Sequence, residues 1–160
     1  MTEDQTLSRI ASYCSKAERC ESDVRNKLNF WGIELEIIDK LVVRLKKENF
    51  LNEERFCLSF IRDKVRFNKW GINKIVFELR KKNISKSLIE SCVDSLQIGN
   101  EIEDSLMKIL FVKSLSIKGK SDYEKRAKLY RFALSRGFSP DLIQKYLDKL
   151  LNSSSDGDFL

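Results

Sequence analysis

Leu28-Asn29-Phe30-Trp31-Gly32-Ile33, Leu79-Arg80-Lys81-Lys82-Asn83-Ile84 and Ala133-Leu134-Ser135-Arg136-Gly137-Phe138 share one pattern: an apolar residue, three positions, a glycine or asparagine, and another apolar residue. Glycine and asparagine tolerate the left-handed backbone with which helices stop, so each copy reads as the end of one helix and the turn into the next. The match extends outward in register. Adding 51 to Val24, Leu28, Ile33, Ile37, Ile38, Val42 and Leu45 reaches Ile75, Leu79, Ile84, Leu88, Ile89, Val93 and Leu96, all apolar. A further 54 reaches Leu129, Ala133, Phe138, Leu142, Ile143, Leu147 and Leu150. A period near 50 residues belongs to helical repeats, whose units bury their apolar faces with the help of neighbours.

The whole chain has one proline and six glycines, too little turn chemistry for an all-β fold, and its apolar residues recur at three and four. The fold is therefore expected to be all-α, with three tandem three-helix repeats over 1–50, 51–98 and 99–151 and a disordered tail over 152–160. The first repeat carries Leu7, Ile10, Ala11 and Cys14, then Val24 to Trp31, then Leu35 to Leu45. Gly32 and Asn49 supply its helix stops. In the second, Asn52 caps a helix that buries Phe56, Phe60, Val65 and Phe67 and breaks at Trp70-Gly71; a helix over 73–82 follows, and Ser85 caps the next. In the third, Ile102, Leu106, Ile109, Leu110 and Val112 line the first helix, Ser121 caps the second, and Ser139-Pro140-Asp141 opens the last.

The net charge of +6 is unevenly spread. Arg55, Arg62, Lys64, Arg66, Lys69, Lys74, Arg80, Lys81, Lys82 and Lys86 face only Asp63 and Glu78 in the same 32 residues, a local excess of +8 that leaves −2 for the remainder. Such a run is usually a solvated helix face. Here the cations are not interleaved with carboxylates and span a helix, a turn and a second helix, which predicts a basic surface suited to phosphates or to an acidic protein groove. Phe67 and Trp70 lie among these charges; their spacing favours core packing over stacking on bases. Trp31, beside Gly32, is expected to pack between helices.

Chemistry is sparse. The chain has no histidine, its carboxylates are scattered, and no two glycines lie within five residues of each other, so neither an acid–base constellation nor a glycine-rich phosphate loop is present. Cys14, Cys20, Cys57 and Cys92 form no C-x-x-C pair and read as buried thiols, with no metal or cofactor expected. The missing chemistry predicts a protein that is not an enzyme, and, with no apolar run approaching a membrane span and an acidic N-terminus, a cytoplasmic one.

The stretch Arg44-Leu45-Lys-Lys-Glu48-Asn49-Phe50-Leu51-Asn52-Glu53-Glu54-Arg55-Phe56-Cys57-Leu58-Ser59-Phe60-Ile61-Arg62-Asp63-Lys64, with Lys69-Trp70-Gly71-Ile72-Asn73-Lys74-Ile75 and Glu78-Leu79-Arg80-Lys81-Lys82-Asn83-Ile84, closely resembles the bacterial RecX family of recombinase regulators. The resemblance is most specific in the middle repeat, weaker in the first and weakest in the third, over about residues 7–150. It implies an elongated, curved rod of three-helix units that binds the RecA filament and restrains strand exchange and the coupled ATP hydrolysis, with single-stranded DNA inside the filament as a further partner and a monomer as the working form. Two positions depart from the family's pattern: Ile72 stands where proline is frequent, which leaves that helix start less rigidly set, and Asn83 stands where glycine is common. The residues alone reach a basic helical repeat protein, and a general DNA-binding module or a protein-only adaptor remain alternatives to RecA regulation.

Overall fold

The side chains of Thr2, Asn52, Ser85, Ser121 and Ser139 cap the starts of five helices, and Gly32, Asn49, Asn83 and Gly137 end four. The computed structural model describes residues 1–119 and 121–156, and among these it contains nine helices and no strand. They are α1 (Glu3–Lys16), α2 (Glu21–Phe30), α3 (Leu35–Lys47), α4 (Glu53–Arg66), α5 (Ile72–Lys81), α6 (Lys86–Leu96), α7 (Gly99–Ser116), α8 (Asp122–Ser135) and α9 (Pro140–Asp156). The fold is all-α, as expected.

The thrice-written pattern is one backbone motif in three copies. Gly32, Asn83 and Gly137 take φ of +78°, +63° and +93°. In each copy the amide of the following residue reaches back to close the helix: Ile33 N–H to Leu28 O (3.1 Å), Ile84 N–H to Leu79 O (3.2 Å) and Phe138 N–H to Ala133 O (3.3 Å). These bonds satisfy carbonyls that the helix leaves unpaired. Asn49, at φ +64°, ends α3 in the same way through Phe50 N–H to Leu45 O (2.9 Å). The starts follow suit: Asn52 Oδ1, Ser85 Oγ, Ser121 Oγ and Ser139 Oγ accept the amides of Arg55 (2.8 Å), Leu88 (3.2 Å), Glu124 (3.3 Å) and Leu142 (3.3 Å).

The repeated apolar set faces inward throughout: no member is exposed, and Val24, Ile75 and Leu129, equivalent in the three copies, are all completely buried. Burying an aliphatic side chain of this size contributes about 1.5–3 kcal/mol relative to leaving it in water. Two expected core residues lie elsewhere. Phe67 is 80% exposed and Val112 is 66% exposed. Phe67 follows the last residue of α4, where the chain turns away from the core, and Val112 projects from a helix that carries apolar residues on more than one face. The last helix continues to Asp156, into the stretch read as tail; residues 157–160 lie outside the described residues.

The chain divides into two compact units. One comprises residues 1–60 and 79–92. Here α1, α2 and α3 pack on one another around Ile10, Val24, Leu28, Ile38, Leu41 and Leu45, with Trp31 half-buried at the edge of that core. Glu53 Oε1 accepts the Glu21 amide (2.7 Å), placing a carboxylate at the positive end of α2. The other unit comprises residues 61–78 and 93 onward, and in it α7, α8 and α9 pack together. The α5 start is held in this unit by the α8–α9 turn: Gly71 N–H donates to Arg136 O (2.8 Å) and Asn73 N–H to Gly137 O (3.0 Å). The helix start that Ile72 was expected to leave loosely set is thus fixed by hydrogen bonds.

Candidate functional site

The ten cations of the basic stretch do different jobs. Five of them, Arg55, Arg80, Lys81, Lys82 and Lys86, belong to the first unit, and two of these are tied into its structure by ion pairs. Arg55 Nε meets Glu18 Oε2 at 2.6 Å, and its guanidinium also donates to Asn49 O (3.1 Å) at the end of α3. Lys82 Nζ meets Asp23 Oδ1 at 2.8 Å. Burial pushes the Asp23 carboxyl up, but Lys82 and the Cys20 amide more than offset this and hold it below its ordinary value. Burial pulls the Lys82 ammonium down, and the bond to Asp23 reverses that, leaving it raised. Arg80 donates to Ile84 O (3.0 Å), closing the turn after α5, while Lys81 and Lys86 are exposed.

Arg62, Lys64, Arg66, Lys69 and Lys74 belong to the second unit, as do Phe67 and Trp70. The Trp70 ring is half-buried, with Lys64 Nζ 4.9 Å and Lys74 Nζ 4.6 Å from its centre. Phe67, three residues before it, stands almost fully in solvent. Arg62 is exposed, Arg66 lies 3.6 Å from Glu101, and Lys69 turns its ammonium back to Arg66 O (2.8 Å) from a left-handed backbone at φ +55°. An ammonium over an aromatic face is attracted by the ring quadrupole, and an exposed ring among cations offers a stacking surface beside phosphate-binding charge. Phe67 thus belongs to the surface, the reading that its helical spacing disfavoured, whereas Trp70 is half-buried.

A second surface of this kind lies in the first unit, outside the basic stretch that the charge distribution marks. Arg9 sits 4.3 Å over the Trp31 ring, Arg19 3.9 Å over Tyr13, and Lys27 lies 5.3 Å from Tyr13 and 5.9 Å from Trp31. Phe30, beside them, is 84% exposed. The adjacent pair Phe30-Trp31 at a helix end, three residues after Lys27, is the sequence signal that betrays it.

Among the described residues no group of three or more histidine, cysteine, aspartate or glutamate side chains could hold a metal ion, and no helix is long and apolar enough to cross a membrane. The four cysteines are buried; burial pushes the Cys57 thiol up to about 12, and the neighbouring Cys92 adds to the shift. Such thiols are poor nucleophiles.

Known proteins share this arrangement of helices. Residues 52–92 match the family model for the second three-helix domain of RecX, and residues 101–147 that for the third. A regulatory protein RecX from Clostridium botulinum is 36% identical over 137 residues, covering 84% of this chain, and the chain spans 63% of that relative's length. The regulatory protein RecX of Prosthecochloris aestuarii is 28% identical over 149 residues, covering 93% of this chain and 95% of its own. Among solved structures, the crystal structure of RecX from Lactobacillus salivarius superposes with a TM-score of 0.80 at 19% identity, covering 92% of this chain and 96% of the other. A second crystal structure of regulatory protein RecX gives a TM-score of 0.82 at 20% identity, with coverages of 91% and 73%.

Proposed function

The chain belongs to the RecX family, and from that premise we propose that it is a non-enzymatic regulator that binds the RecA filament on DNA and inhibits its recombinase and coupled ATPase activity. The observation that carries the reading is the surface of the second unit, where Lys64 and Lys74 flank Trp70 and Phe67 stands in solvent. Cations attract the polyanionic filament over long range, and the rings add contacts that salt does not screen. Repeated units lying along a periodic partner add their weak contacts through effective concentration, so no single site has to be strong. Arg62, Lys69 and Lys74 supply contacts to phosphate or carboxylate, whereas Arg55 and Lys82 serve the fold.

A second reading, a general DNA-binding protein, is favoured by the aromatic and cationic surface of the first unit around Phe30 and Trp31. Capture of RecA from a lysate, with and without nuclease, separates the two. Retention of RecA that survives nuclease supports the first reading. Loss of RecA while DNA is intact, together with tight salt-sensitive binding of naked DNA, supports the second.

A further inference from the structure

We infer that the groove between α7 and α8 in the second unit is a docking site for an acidic amphipathic helix of a partner protein. The groove, of about 410 Å³, has an apolar floor of Ile109, Val112 and the Phe132 ring. Its rim is Lys69, Lys108, Lys113 and Arg136, and among the described residues no carboxylate lines it. Two of these cations are held against the floor: the Lys113 ammonium lies 5.2 Å and the Arg136 guanidinium 4.8 Å from the centre of Phe132.

Three features select the occupant. Val112 is 66% exposed, and Phe111 and Leu115 beside it are 41% and 61% exposed, an apolar strip on α7 that water covers in the free protein. Ile109, Val112 and Ser116 recur at three and four along α7, so they line one face of it over about two turns, a length along which a second helix can lie. The rim demands negative charge on both flanks of that face. The chemistry disfavours nucleic acid, because the floor is mostly aliphatic and its one ring, Phe132, is half-buried, leaving little for a base to stack on. The groove thus differs from the surface around Trp70 and Phe67, where an exposed ring is offered.

The groove shares only Lys69 with the surface proposed to contact RecA, and its test changes Lys108, Val112 and Lys113 alone, so failure of either leaves the other to be judged separately. The test uses the full chain, isotopically labelled, titrated with a synthetic amphipathic helix that carries leucine on one face and glutamate on both flanks. The expected result is amide shifts confined to Lys69 and the segments 108–116 and 132–136. Affinity should fall about tenfold or more for Lys108→Glu with Lys113→Glu, for Val112→Asp, and for a peptide with glutamine in place of glutamate. All three positions are exposed, so the variants keep the fold, which the undisturbed amides of α9 verify. Variants that bind as tightly as the parent, no shifts at millimolar peptide, or a single-stranded oligonucleotide that moves the same amides more strongly would each overturn the assignment.

Discussion

Gly71 and Gly137 meet backbone to backbone, closely enough that neither position has room for a methyl group. A Cβ on Gly71 would lie 2.5 Å from the carbonyl carbon and oxygen of Gly137, and one on Gly137 would lie 2.5 Å from the Lys74 amide nitrogen and run into Lys74 Cβ. The α5 start and the α8–α9 turn are fastened at this contact by Gly71 N–H to Arg136 O and Asn73 N–H to Gly137 O. Substituting alanine at either position should cost about 2–4 kcal/mol, since the clash is with backbone or a Cβ that cannot swing aside, and Gly137 adds the strain of φ +93°. Gly32→Ala is the control. It shares the left-handed backbone at φ +78°, but a methyl group there would meet nothing within 4 Å, so the change should cost only about 1 kcal/mol. Urea midpoints of the three variants test the ordering.

Phe67 and Ile75 should respond oppositely to truncation. Ile75 is completely buried, and Ile75→Ala should destabilise by about 2–5 kcal/mol. Phe67 is exposed, and Phe67→Ala should leave the protein's stability in urea within about 0.5 kcal/mol of the parent's. The same change should weaken binding of a single-stranded oligonucleotide by about 1–3 kcal/mol, read by fluorescence anisotropy. Unchanged binding would remove Phe67 from the proposed surface.

The helix boundaries were legible because their signals are local. Asn52, Ser85, Ser121 and Ser139 cap as their side chains suggest, and glycine or asparagine occupies four of the left-handed stops. Lys69 and Gln97 also take positive φ, at +55° and +50°, which their residue types do not announce. The division of labour among the cations was not legible either. Arg55 finds Glu18 and Lys82 finds Asp23 across 37 and 59 residues of chain, pairings that exist only once the unit has folded. Periodicity assigned Phe67 inward because it counts helical turns and α4 ends one residue earlier. The Gly71–Gly137 contact depends on two turns meeting in space, and each glycine alone reads only as a helix end.

The Asp23–Lys82 pair gives stability a pH dependence at both ends. The folded protein holds Asp23 below its ordinary value of 3.8, so the unfolded chain binds the proton more readily and acid destabilises the fold. The contribution is present at neutral pH and is lost as pH falls through 3.8 and below. Lys82 is raised above 10.5, so its contribution is complete below that value and is lost as pH rises through the folded one. Asp23→Asn should cost about 1–2 kcal/mol at neutral pH, with the difference from the parent shrinking toward about pH 3. Denaturant curves across the acid range measure it, and a difference independent of pH would contradict the pairing.

The thiols should be silent until the protein unfolds. Cys57 is completely buried and pushed up to about 12, and Cys14, Cys20 and Cys92 are also buried and raised. A disulfide reagent at neutral pH should therefore titrate essentially no thiol in the native protein and all four in denaturant. Rapid labelling of a native thiol would show that part of the core opens readily.

If Arg62, Lys69 and Lys74 carry the regulation, the rate of RecA-dependent ATP hydrolysis on single-stranded DNA reports it most directly. The parent protein should slow it. The triple variant Arg62→Glu, Lys69→Glu, Lys74→Glu should need at least about tenfold more protein for half-inhibition while keeping the parent's urea midpoint. A triple variant that inhibits like the parent would show that these cations do not carry the regulation.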